Sequence, residues 1–421
     1  MTKHLSPDDP EQTQRINLLT LALHQILFRI AWIFKTESVI MPAFLDSISS
    51  AGWVRGMLPP LNRIGQSVAP LLLSDRLSRA PRKSTWLART TFLLSLPFLL
   101  LGAILVATGP LTSDWFVALY LILYGGFFCV HGVNQASFNT LQGKLIPVTQ
   151  RGRLMEMGGS IGSPLAVLCA WLLLKPWTES QPPRFAMIFL FTGAAFLIAS
   201  LAMRFLCEHP DPVQAEQRID VRQRFIDAWT ALKEDRHLQR LSCFSAMFVC
   251  SQLLFPHYQR LGRTQPGFEG QMLMFWVIAQ NLSAAFFSWL AGRCADRQGT
   301  RSALRWLAFA GIFAPLLALV SQCSLSVSWY WLTFAWLGVV PVTYRLQLNY
   351  ALELTDRSRH PIYVCTVVLC MAPPIVLSPL VGDLVERIGY TAPFLGIAAI
   401  LLGAWCLTLT MIEPRQARLE T

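Results

Sequence analysis

Apolar runs long enough to cross a bilayer recur from residue 17 almost to the C-terminal tail. A helix rises about 1.5 Å per residue, so a hydrocarbon core of about 30 Å takes about 20 residues. No single water-soluble core hides that much apolar surface in a chain of 421 residues that is 53% hydrophobic and 14% charged. Residues 1–15 are polar and carry Asp8, Asp9 and Glu11. They lack the basic start and small-residue cleavage site of a secretory signal, so the first span is expected to be retained.

Apolar runs set against polar breaks predict twelve helices, at about 17–42, 57–75, 84–107, 114–140, 153–174, 184–206, 240–261, 268–292, 302–322, 328–352, 360–382 and 390–412. Six precede and six follow the one long polar segment. The domain reading is therefore an N-terminal six-helix half (1–206), a linker (207–239) and a C-terminal six-helix half (240–421). In the linker, Val221, Phe225, Trp229 and Leu232 recur at helical spacing opposite Arg222, Arg224 and Lys233. The pattern fits a solvated connector helix or one lying on the membrane surface.

Charge placement gives the orientation. With the N-terminus inside, inner segments hold 25 of the 35 Lys and Arg, and outer segments hold six: Arg55, Lys175, Arg184, Arg260, Arg263 and Arg387. This positive-inside bias predicts a multi-pass protein of the cell membrane with both termini cytoplasmic. The ten cysteines show no CxxC or Cys/His spacing, so neither a disulfide framework nor a metal site is expected.

The halves echo one another. Asp75 and Arg76 close the second span as Asp296 and Arg297 close the eighth, while Arg151 and Arg153 follow the fourth as Arg357 and Arg359 follow the tenth. Parallel repeats of this kind place a solute site near the midplane. Gly292, Ala295, Asp296, Arg297, Gly299 and Arg301 match the pattern G-x-L-A-D-R-x-G-x-R, with Cys294 replacing Leu. In this the chain resembles the major facilitator superfamily of secondary transporters. The first-half copy, around Asp75, Arg76 and Arg79, departs more, with Leu71 and Ser78 at the glycine positions and Ala80-Pro81 inserted. The resemblance implies an all-α integral membrane fold of twelve helices in two six-helix pseudo-repeats. It also implies that Asp75, Arg76, Arg79, Gly292, Asp296, Arg297 and Arg301 gate the cytoplasmic side. Simple positive-inside anchoring stays open for the arginines.

Four basic residues fall inside spans, where a central Arg costs about 2.5–3.5 kcal/mol to insert: Arg29, Lys35, Arg63 and Arg345. On the first helix Gln25, Arg29, Trp32 and Thr36 share one stripe, while Lys35 and Glu37 point elsewhere, close enough to the outer end to snorkel or to pair with other helices. On the fourth, Tyr124, Phe128, His131 and Gln135 form a second stripe. Rings beside amides and imidazole suit an organic solute. The resemblance implies that helices one, four, seven and ten line the cavity, which adds Gln252, His257, Tyr258, Tyr344, Arg345 and Gln347. A guanidinium fork suits carboxylate or phosphate, so Arg29 and Arg345 are read as an anion bridge between the halves. Gly158, Gly159, Gly162 and Pro164 read as close helix packing or a kink in the fifth helix.

The reading is thus a secondary active or facilitative transporter of a small organic solute, anionic by preference, working by alternating access. Gln25, Arg29, Trp32, His131, Gln135, Gln252, Tyr344 and Arg345 bind solute. Glu37 and His131 are candidates for coupling to a co-transported proton or ion. A proton-coupled exporter of cationic or amphipathic compounds and a non-transporting membrane sensor stay open. No GxxxxGK[ST] phosphate loop or acid-base cluster suggests an enzyme, and no cofactor, metal or nucleic acid is expected. The partners expected are the solute and the lipid bilayer, around a functional monomer.

Overall fold

A computed structural model describes residues 10–109, 111–211, 221–323, 327–356 and 359–414, and within its helices leaves a few side chains undescribed, those of Asp75 and Arg79 among them. Among the described residues every regular element is a helix. In order they are α1 (Pro10–Phe34), α2 (Ile40–Ile48), α3 (Gly52–Gly56), α4 (Leu58–Arg79), α5 (Lys83–Thr108), α6 (Asp114–Leu145), α7 (Val148–Ser160), α8 (Gly162–Glu179) and α9 (Phe185–Ala202). Then follow α10 (Val221–Glu234), α11 (Arg236–Val249), α12 (Phe255–Arg263), α13 (Gln271–Gln298), α14 (Thr300–Cys323), α15 (Trp331–Leu337), α16 (Val339–Glu353), α17 (His360–Val376), α18 (Ser378–Ile388) and α19 (Thr391–Leu409).

Ten stretches are long and apolar enough to cross a membrane among the described residues, from Glu11–Phe34 to Thr391–Leu409. The other two expected spans correspond to α4, which carries Asn62, Arg63 and Gln66, and to the pair α15 and α16. Several expected continuous spans are broken, and proline explains most of the breaks. Pro164, Pro256, Pro341 and Pro379 each sit within the first turn after a discontinuity, at Ile161, at the 3-10 turn Cys250–Leu254, at Gly338 and at Leu377. Each lacks the N–H that would bond back across the break. The first span, expected over 17–42, ends at Phe34, where the Thr36 hydroxyl donates to the Ile33 carbonyl (2.6 Å) in competition with the helix ladder.

Contacts divide the chain into two units. Met1–Thr36 with Ile64–Arg218 forms the first, and Glu37–Arg63 with Ile219–Thr421 the second. By this division residues 37–63, which the sequence reading put in the N-terminal half (1–206), group with the second unit. In the first unit, Leu21, Leu87, Leu141 and Leu154 bring α1, α5, α6 and α7 into one buried cluster. Gly162 lets α8 close on α1, since a methyl there would lie 3.1 Å from Arg29 Cδ and 3.2 Å from Ile26 Cα.

In the second unit the segment 37–63 packs on that unit's own helices. Gly52 and Gly382 meet backbone to backbone, and either side chain would collide with the opposite carbonyl. The Gly52 amide donates to Glu386 (2.5 Å). Ser38 donates to Gln280, and Asn62 to Glu37. The core of this unit stacks Trp276 on Phe334 with centroids 4.9 Å apart and Tyr330 alongside.

Candidate functional site

The first unit gathers one part of the expected solute-binding set. Trp32 and His131 bring their rings within 4.6 Å, with Phe28, Phe127 and Phe128 around them. Lys35 does not snorkel. Its chain has left helical geometry after Phe34, and the fully buried ammonium folds back 3.1 Å from the Trp32 ring centre, 4.4 Å from Phe128 and 4.9 Å from Phe127. Aromatic faces attract a desolvated cation, by about 2 kcal/mol or more when water is excluded. Arg29 is exposed and donates to Ser163 on α8 (2.7 Å). Gln25 lies against Gly158, and Gln135 is exposed on α6. Asn134, beside the stripe, donates to Thr90 and Thr91 of α5 (2.9 and 2.8 Å), and His24 joins Thr91 at 3.0 Å, so these groups tie helices together.

The second unit gathers the other part around a residue that the sequence flagged without assigning. Arg63, in the first turns of α4, donates through Nε to Gln252 Oε1 (2.8 Å) and stacks on Tyr344 with its guanidinium carbon 4.1 Å from the ring centre. Gln252 and Tyr344 are thereby joined. Arg345 follows on α16, exposed, its Nε reaching its own helix at the Pro341 carbonyl (3.4 Å). Among the described residues neither Arg63 nor Arg345 pairs with a carboxylate. His257 is fully buried, and neither ring nitrogen finds a hydrogen-bond partner among the described residues. No group of His, Cys, Asp and Glu suited to a metal occurs among the described residues.

The signature stretch is less of a loop than its glycines and charges suggest. Gly292, Asp296 and Arg297 lie exposed on the last two turns of α13, and the turn is confined to Gly299, at φ +92°. Glycine at the residue after a helix takes this left-handed conformation without strain. Arg301 opens α14, where its amide donates to Glu413 Oε2 (3.0 Å) and its guanidinium holds the Met411 carbonyl (2.8 Å). Tyr350 donates to the Ile412 carbonyl (2.6 Å), and Arg240 to that of Thr410. In the first half Arg76 is exposed, whereas the side chains of Asp75 and Arg79 lie outside the described residues.

A counterpart of the Glu413 contact stands in the first unit. Glu208 accepts from the amides of Lys83 (3.0 Å) and Ser84 (2.7 Å) at the start of α5. Lys144 pairs with Glu208 (2.7 Å) and Asp211 (2.8 Å), and Lys83 with Asp211 (3.1 Å). Burial would raise the Glu208 carboxyl, but hydrogen bonds from Lys144 and Ser84 more than reverse that and hold it below its ordinary value of 4.5. In each half, then, a glutamate following the sixth helix satisfies the free amides at the start of the third. Sequence reading missed both; the signal was Glu208 and Glu413 at matching places after helices six and twelve.

Comparison with known proteins agrees with this architecture. No curated protein matches the chain. Among solved structures, a mutant form of the nucleoside transporter NupG superposes with a TM-score of 0.73 at 13% identity, covering 94% of this chain and 99% of that one. A D-xylose-proton symporter gives 0.66 at 12% identity, over 95% and 98% of the two chains. A bacterial homolog of the human lysosomal transporter Spinster, inward-facing and occupied, gives 0.65 at 12%, over 93% and 95%. At these identities the likeness establishes the fold. The family model of the Major Facilitator Superfamily matches residues 18–355. The chain is therefore a multi-pass membrane transporter, not an enzyme, and it belongs to the Major Facilitator Superfamily.

Proposed function

We propose that the protein carries a small organic anion across the cell membrane by alternating access, with both termini in the cytoplasm and a single chain as the working unit. The observation that carries the anionic preference is the state of Arg63 and Arg345. Both are cations within spans of the second unit, and no carboxylate pairs with either among the described residues. An uncompensated guanidinium in a membrane segment is costly, and a carboxylate or phosphate on the solute would offset that cost. Gln252 and Tyr344 orient Arg63. In the first unit Arg29, Gln25, Trp32 and His131 offer hydrogen bonds and ring surface, with Gln135 further along α6. Asp296, Arg297 and Arg301, with Asp75, Arg76 and Arg79 in the other half, set the conformational equilibrium at the cytoplasmic ends. Glu37 and His131 are the coupling candidates for a co-transported proton.

The test is uptake of a radiolabelled panel of organic anions, cations and neutral sugars or nucleosides into proteoliposomes, with and without a pH gradient. The expected outcome is saturable uptake of at least one anion in preference to neutral and cationic solutes. Uptake confined to neutral or cationic solutes overturns the anionic preference, and binding without uptake of any solute identifies a sensor.

A further inference from the structure

Three of the six basic residues on the outer segments, Arg55, Arg260 and Arg263, gather around a single carboxylate. The positive-inside rule disfavours cations there, so their concentration calls for a reason. Asp46, on α2 beyond the first span, has a side chain 1% exposed. Its Oδ1 takes Arg55 Nε at 2.6 Å, and Arg55 also donates to the Ser50 carbonyl at 3.0 Å. Its Oδ2 is left without a hydrogen bond among the described residues, with Arg260 Nη1 at 3.9 Å and Arg263 Nη1 at 3.8 Å. Direct guanidinium–carboxylate bonds run at about 2.7–2.9 Å. The two arginines of α12 are thus drawn toward an oxyanion without being satisfied by it. Arg263 bonds weakly to the Ala43 carbonyl (3.3 Å), and the two side chains, Arg263 and Arg260, remain 28% and 35% exposed. Three guanidinium groups against one carboxylate leave an excess of two positive charges.

We propose that Arg260 and Arg263 form an oxyanion-docking site at the outer end of the second unit, in which Asp46 sits as a built-in competitor that a carboxylate or phosphate displaces. The site uses none of the residues assigned above to solute binding. It deepens the anionic reading, on which it rests for what the captured solute does next, but not for the capture itself. The oxyanion belongs either to a free solute or to a lipid headgroup, and the chemistry is the same for both.

The groups facing Asp46 are Arg55 from α3, Arg260 and Arg263 from α12, and Tyr390 at the start of α19, whose hydroxyl meets Arg260. Fully buried His257, also on α12, lies close enough to Arg55 to feel its charge, and Glu386 is engaged by the Gly52 amide. Burial pushes the Asp46 carboxyl up despite the opposing pull of the three arginines. A proton on Asp46 removes the competitor, so capture of an external oxyanion strengthens as pH falls.

Isothermal titration of sulfate, whose charge is constant from neutral to mildly acid pH, into the full chain in zwitterionic-lipid nanodiscs tests this. The wild type is expected to bind more tightly as pH falls. Asp46→Asn is expected to bind roughly tenfold more tightly at neutral pH, a change of about 1.4 kcal/mol, and to lose the pH dependence. Arg260→Gln with Arg263→Gln abolishes binding. Equal affinity and intact pH dependence in Asp46→Asn, or binding that survives loss of both arginines, overturns the proposal. Should the variants fail to fold, wild-type affinity that is flat or weakens toward acid pH overturns it equally. Repeating the titration with phosphatidylglycerol in the discs separates the sources: sulfate binding is lost if the headgroup is the stronger occupant and kept if a free solute is. Failure of anion uptake in proteoliposomes leaves this binding readout untouched, so the two readings fail separately.

Discussion

The Glu208 and Glu413 clamps do one job with different materials. In the second half the turn is made by a left-handed glycine, and a glutamate caps α14 while Arg301, Arg240 and Tyr350 hold the backbone carbonyls of residues 410–412. In the first half Ser78 stands where that glycine is expected and Ala80-Pro81 is inserted. There Lys83 turns back to the Ala80 carbonyl (2.7 Å), and Lys144 and Asp211 surround Glu208 with charge. The sequence copy that looks degraded is thus backed by a network of ion pairs, whereas its better-preserved twin leans on backbone carbonyls. Loss of a motif residue and loss of the structure it served are different events.

The largest expected effect is from Glu208→Ala, which removes a carboxylate from Lys144 and frees two helix amides. Lys144 keeps access to water, so the loss is set by the bonds to the charged carboxylate, each contributing about 1.5–3 kcal/mol, and is read as a lower unfolding temperature of the purified protein. Next comes Gly299→Ala, where positive φ strains any side chain by about 1–3 kcal/mol and the added methyl meets the Glu413 carboxyl. Combining it with Glu413→Ala is expected to cost less than the sum of the two, because they share that contact. Glu413→Ala alone is expected to lose about 1 kcal/mol, the scale of a lost helix cap. Equal losses for the two glutamates would show that the ion pairs around Glu208 add nothing and break the comparison.

The smallest effect is one of pH. Because the folded Glu208 carboxyl lies below its unfolded value of 4.5, its contribution is complete above that value and is lost as pH falls through the lower folded one. Glu208→Gln is expected to flatten the acid limb of stability below pH 4.5, whereas an acid limb identical to that of the wild type would remove the carboxyl from the account.

Much of the fold was legible because a bilayer imposes long apolar runs and one-sided charge. Helix breaks were not, since a proline within a span kinks or interrupts it according to whether neighbours satisfy the freed carbonyls. The stripes marked Trp32 and His131 on separate helices without showing that their rings meet, and the fold-back of Lys35 onto Trp32 was hidden because helical periodicity ends at Phe34. Arg63 stood out as a charge in a span, yet its partnership with Gln252 and Tyr344 spans long sequence separations that no local pattern encodes. The same holds for Asp46 with Arg260 and Arg263. Residues 37–63 pack with the second unit because of glycine contacts and hydrogen bonds that hydropathy does not register.

The central claim is that Arg63 and Arg345 of the second unit receive an anionic solute. Its most direct measurement is the initial rate of uptake, at subsaturating concentration, of the anion identified in proteoliposomes, for the wild type against Arg63→Gln and Arg345→Gln. A hydrogen bond to a charged group contributes about 1.5–3 kcal/mol, so each variant is expected to lose about ten- to a hundredfold in uptake while remaining folded. Wild-type rates in both variants would contradict the claim.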